Sequence, residues 1–108
     1  MSETLARVQR LVVKGEVPMS HHAMLRLDEQ DIYPPEVLAG VGSAIVVEDY
    51  PLHSRGPCVL VLQREADATP IHCLWGVSQS TESPAVLITA YRPDPSQWSR
   101  DLTQRVQK

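Results

Sequence analysis

Beyond Gly42 the chain stops repeating at helical spacing and becomes four short runs rich in Val, Ile, Leu and Cys, at 44–49, 58–63, 71–78 and 85–91. The segments between them, 51–57, 64–70 and 79–84, are short and full of Pro, Gly, Ser, Asp and Thr. A parallel crossover needs about a dozen residues or more, whereas turn-forming connectors of this length suit hairpins. The second half therefore predicts a four-stranded antiparallel meander.

The first half carries a different period. Leu5, Val8, Leu11 and Val12 recur at helical spacing, and Arg7, Arg10 and Lys14 fall on another face, with Gly15 as a stop. Pro18-Met19-Ser20 breaks the chain, and Ser20 is placed to cap a second helix running to about Gln30. Ala23, Met24 and Leu27 form its apolar side, and His22, Arg26 and Glu29 its polar side. Pro34 and Pro35 suit the first turn of a short third helix, with Val37, Leu38 and Val41 facing inward and Gly42 ending it. Trp98, Leu102 and Val106 recur at fourfold spacing, which predicts a short C-terminal helix or a packed tail. The expected architecture is one α+β domain over 1–108, with N-terminal helices packed on one face of the sheet and the other face partly open.

Strand alternation assigns side chains to those faces. On the third run Ile71, Cys73, Trp75 and Val77 share one side, and His72, Leu74, Gly76 and Ser78 the other. On the fourth, Leu87, Thr89 and Tyr91 oppose Val86, Ile88 and Ala90. In a compatible register His72, Thr89 and Tyr91 line one surface. With no Phe in the chain, Trp75 and Trp98 are the large core fillers.

Ten Lys and Arg stand against thirteen Asp and Glu, for a net charge of −3, which argues against broad nonspecific coating of nucleic acid. Eight of the ten cations are Arg, the better fork for phosphate or carboxylate. No apolar run approaches the ~20 residues of a membrane span. The start, Met1-Ser2-Glu3-Thr4, lacks the charged and apolar signature of a leader. Cys58 and Cys73 lie inside apolar runs and read as buried, reduced thiols of a cytoplasmic protein.

Three kinds of function fit these residues. The first is metal-free cleavage of RNA, which needs a base for the 2′-hydroxyl, an acid for the leaving oxygen and a cation for the phosphate. His22 and Arg26, four apart on one helix face, together with His72 fill these posts, and Arg92 assists. Tyr91 donates a hydrogen bond or stacks on a base, while Thr89, Arg10 and Lys14 are further substrate contacts. The plainer account has Arg10 and Lys14 as a solvated stripe, His22 capping helix backbone, Arg26 pairing with Glu29 or Asp49, and Tyr91 packing across strands. The second is metal binding. His21 and His22 point about a hundred degrees apart on a helix, and neither Cys sits in a Cys-x-x-Cys pair, so no metal site is expected. The third is a binding module without catalysis, docking another chain through Tyr50, Trp98, the loop at 55–57 or an exposed strand edge.

At these residues the chain resembles a bacterial family known only as domain-of-unknown-function family 4258. The likeness runs over about 18–100. It rests on Ser20, His22, Ala23, Arg26 and Glu29 in the second helix, then on Ile32, Gly42, Glu48 and Tyr50. It continues through Ile71-His72 to Ile88-Thr89, Tyr91, Pro93 and Trp98. Leu27 stands where the pattern has Met, and Gln30 replaces a second Arg, which removes a cation. Family members are similar in layout to toxin ribonucleases of the RelE and BrnT type. The resemblance thus implies a cytoplasmic ribonuclease acting on RNA or the ribosome and restrained by an antitoxin-like protein; a metal-independent reaction without cofactor and a homodimer are further expectations.

Overall fold

The computed structural model describes residues 2–15, 19–77 and 85–106. Pro18, Ser78 and the connector 79–84, which the sequence reading used, lie outside them. The order is α1 (Glu3–Val13), α2 (His21–Glu29), α3 (Pro34–Gly40), a 3-10 turn (Val41–Ser43), β1 (Ile45–Tyr50), β2 (Cys58–Arg64), β3 (Pro70–Val77) and β4 (Ala85–Tyr91).

Local chemistry explains the helix ends. The Ser2 hydroxyl accepts the Leu5 N–H at 3.1 Å, and the Ser20 hydroxyl accepts the Ala23 N–H at 3.0 Å. α2 closes through Asp31 in the left-handed region, φ 57°. The Ile32 N–H then reaches the Leu27 carbonyl at 2.8 Å and the Asp31 N–H reaches Asp28 at 3.1 Å. This is a Schellman ending with Asp where Gly is commoner. α3 stops at Gly40, and the 3-10 turn carries the chain through Gly42 instead of ending at it.

The strands form one antiparallel sheet in the order β1-β2-β3-β4. One face carries Val59, Val61, Ile71, Cys73, Trp75, Val77, Ala85 and Leu87, all buried in one cluster with Leu5, Val8 and Leu11 of α1, Ala23 and Leu27 of α2, and Val37 of α3. A buried polar relay crosses this core. Trp75 Nε1–H donates to Gln63 Oε1 at 2.8 Å, and Gln63 Nε2–H donates to the Val37 carbonyl at 2.8 Å. It pins α3 to β2 and satisfies an indole that simple packing would leave unpaired.

Two bulges shift the alternation. In β4, Trp75 pairs with Leu87 but Leu74 pairs with Thr89, so Ile88 is the extra residue. Leu87 and Ala90 therefore both face the helices, while Thr89 and Tyr91 share the far face with Val86 and Ile88. Strict alternation had separated them. In β1 the extra residue is Val47, which turns Glu48 and Tyr50 to the far face opposite Leu60 and Cys58. Beyond Pro93 the described residues form no helix. The chain doubles back as a tail, with Ser99 N–H on the Gln104 carbonyl at 2.7 Å and Val106 N–H on Gln97 at 3.0 Å. The fourfold spacing of Trp98, Leu102 and Val106 reflects a loop laid on the far sheet face, where Trp98 is buried.

Candidate active site

His72 and Tyr91 are direct cross-strand partners on the far face. The tail closes over His72, leaving it 0% exposed. Its Nε2 lies 2.8 Å from the Leu102 carbonyl and its Nδ1 3.2 Å from the Tyr91 hydroxyl. A carbonyl only accepts, so Nε2 carries the proton, and in the neutral ring Nδ1 accepts from the Tyr91 O–H. The Trp98 ring meets the imidazole edge-on at 4.4 Å between centroids. Burial holds His72 below the usual histidine range, against a smaller opposing pull from the Leu102 bond. Burial likewise raises the Tyr91 phenol, so it stays protonated at neutral pH.

Beside this pair, Glu48 receives the Tyr50 hydroxyl at 2.7 Å, Arg105 Nε–H at 2.8 Å and Arg105 Nη2–H at 3.1 Å. The Arg105 hydrogen bonds are the main reason its carboxyl sits below the ordinary range. The guanidinium also stacks 4.8 Å over the Trp98 ring. Glu48, Tyr50, Thr89, Tyr91 and Arg105 border one hollow of about 180 Å³ floored by Leu60 and Leu74. A carboxylate, a guanidinium and three hydroxyls thus converge at one surface. Burial of Cys58 and Cys73 raises both thiols, and each is free.

The expected site is rearranged. The far-face hollow gathers Tyr91 and Thr89, with His72 beneath Tyr91. It does not gather the other predicted residues. His22 is exposed on α2, whose Ala23 and Leu27 pack on the opposite, helix-bearing face, so the two imidazoles share no cleft. Arg26 is exposed beside it and pairs with Glu29 at 3.6 Å. Arg10 on α1 and Lys14 at its C-terminal cap, also on the helix side, border a shallow surface hollow of their own. The reason is geometric: helical spacing brings His22 and Arg26 together, but α2 must bury Ala23 and Leu27 against the sheet, which turns that pair outward.

Arg92 is held by other partners, away from this hollow. Its Nε–H and Nη2–H donate to the Gln30 and Asp31 carbonyls at 3.1 and 3.2 Å, and Nη1 pairs with Glu65. Its backbone N–H is accepted by Gln30 Oε1 at 3.0 Å. Gln30 thus serves as an acceptor where a second Arg would have offered only donors. Arg92 clamps the end of α2 to β4 and to the β2–β3 connection. Arg92→Ala is expected to cost about 1–3 kcal/mol in urea unfolding, the scale of hydrogen bonds to a charged group. Lost activity at full stability would instead mark it as a substrate contact.

The sequence reading missed Arg105 altogether, since nothing in the tail signalled that it returns to β1. Glu48 falls inside the first predicted run, 44–49, and Tyr50 one residue beyond it, so strand alternation over that run does not pair them. Among the described residues no group of three or more His, Cys, Asp or Glu converges as for a metal ion, and no helix is long and apolar enough to cross a membrane. The profile of the family described as Domain of unknown function (DUF4258) matches residues 19–92. No curated protein and no solved structure matches the chain.

Proposed function

The chain belongs to the DUF4258 family, and from its own site we propose a metal-independent ribonuclease-type domain acting at the Glu48–Tyr91–Arg105 hollow. The observation that carries this reading is the convergence of an ionised carboxylate, a guanidinium and a protonated phenol on one open sheet face. An RNA phosphate competes with Glu48 for Arg105 and draws the guanidinium to its own oxygens. Glu48, so released, takes the proton of the 2′-hydroxyl. The 2′-oxygen bonds to phosphorus, and the 5′-oxygen leaves with the Tyr91 proton once that hydroxyl turns from His72 to the hollow. The products are a 2′,3′-cyclic phosphate and a 5′-hydroxyl. His72 touches no substrate in this scheme. It is a positioning residue that holds Tyr91. The layout likeness to RelE- and BrnT-type toxins, a cytoplasmic setting, an RNA or ribosomal substrate and an antitoxin-like restraint belong to the same proposal.

Purified protein mixed with RNA is expected to yield cyclic phosphate ends. Glu48→Gln and Tyr91→Phe are each expected to slow cleavage by about 10²–10⁴-fold, the usual worth of a positioned acid or base. His22→Ala is expected to leave the rate unchanged. Intact RNA, free and ribosome-bound, in the presence of folded protein would overturn the reading. A second reading is a noncatalytic protein-interaction domain, built on antitoxin-like pairing or self-association. It is favoured by the two hydrogen bonds with which Glu48 and Arg105 satisfy each other. It predicts a stable complex with a partner chain and no cleavage.

A further inference from the structure

A second hollow, of about 420 Å³, opens on the same sheet face and meets the first at Leu74. Its floor is apolar: Leu74 and Gly76 from β3, Val86 and Ile88 from β4. The β4 bulge brings Ile88 to this face. Gly76 lets Ile88 lie flat across this floor, because a Cβ there would come within 2.8 Å of Ile88 Cδ1 and push that side chain up into the hollow. The rim has a different chemistry. Arg55 borders it and carries no ion pair among the described residues, so its guanidinium is available. His53 borders it too, with its Nδ1 accepting the Arg55 backbone N–H at 3.2 Å, which leaves Nε2 as the protonated donor of the neutral ring.

A flat apolar body edged by anionic charge fits this combination of floor and rim. The volume is in the range of small-ligand sites. Leu74 and Gly76 are two residues apart on one strand, about 6.6 Å, so an occupant of the second hollow lies directly beside whatever occupies the first. We propose that this hollow is a nucleobase subsite: it seats the base of a single-stranded ribonucleotide adjoining the phosphate at Arg105, with Arg55 facing the neighbouring phosphate. Single-stranded RNA is read by bases splayed out of the stack onto side-chain surfaces. This inference deepens the ribonuclease reading and rests on it for the direction of the strand, though base binding is measurable without catalysis.

The test uses the full chain with labelled methyl groups, titrated with adenosine 5′-monophosphate, uridine 5′-monophosphate and ribose 5-phosphate. Both nucleotides are expected to move the Leu74, Val86 and Ile88 methyl signals, and ribose 5-phosphate to leave them in place. Gly76→Val fills the floor and is expected to weaken nucleotide binding at least tenfold. Arg55→Gln, an exposed change that spares the fold, is expected to weaken it several-fold at low salt and to flatten its salt dependence. Three results would overturn the subsite: methyls unmoved by nucleotide (as they would be if a protein partner is the true occupant), an equal response to ribose 5-phosphate, or unchanged affinity in Arg55→Gln. Nucleotide binding here without any RNA cleavage would sink the catalytic reading alone. Cleavage at an unaltered rate in Arg55→Gln and Gly76→Val would sink the subsite alone.

Discussion

Trp98→Ala is expected to destabilise the protein by about 3–5 kcal/mol, the range for truncating a buried Trp, and to restore ordinary basicity to His72. The indole is 5% exposed and lies edge-on against the imidazole. It also carries the Arg105 guanidinium on its face. Removing it admits water to His72 and loosens the arm that brings Arg105 to Glu48. The pH response provides an independent reading. His72 is held below the usual range in the folded chain by burial, so near and below about pH 6.5 the unfolded chain binds more protons than the folded one. Stability is therefore full above that pH and falls as pH drops toward the folded value, by at most about 1.4 kcal/mol per unit. Glu48, also lowered, adds a loss of the same sign once the pH enters the carboxylate range. In Trp98→Ala the His72 part of the slope should flatten. Urea midpoints from pH 5 to 8, with the imidazole titration followed by NMR, measure both effects. An unchanged His72 titration would show that the tail does not seal the ring.

Gln63→Leu is expected to cost about 2–4 kcal/mol although the two side chains have similar volume. Gln63 is 1% exposed, and its loss strands two buried partners, the Trp75 N–H and the Val37 carbonyl. Each orphaned group costs about 1–3 kcal/mol. The pairing has a signature that packing alone lacks. Trp75→Phe removes the orphaned donor, so Gln63→Leu should cost less in a Trp75→Phe background than in the native one. Strict additivity of the two substitutions, measured by chemical denaturation, would show that the indole–amide bond contributes nothing.

The parts of this fold legible in the sequence are those set by local rules. Short connectors carrying Pro and other turn formers forced antiparallel pairing, Ser20 stood at the helix cap it occupies, and alternation along β3 divided Cys73 and Trp75 from His72 and Leu74. The β4 pattern failed at one residue. A bulge at Ile88 costs no change in composition, and only the fit of Leu87 and Ala90 under the helices reveals it. Gln63 read as a polar residue ending a strand. Its burial depends on an indole twelve positions away and a carbonyl twenty-six positions away.

The site divides in the same way. Sequence alone determined that His22 and Arg26 share a helix face and that His72 and Tyr91 are able to meet, because spacing along a regular element fixes direction. Tertiary structure decided which of these groups reach solvent together. α2 buries Ala23 and Leu27 and so turns His22 away from the far sheet face, while the tail folds back to seal His72 and deliver Arg105 to Glu48. Spacing carries no record of such long-range closures, since their energy resides in contacts between segments that no local period connects.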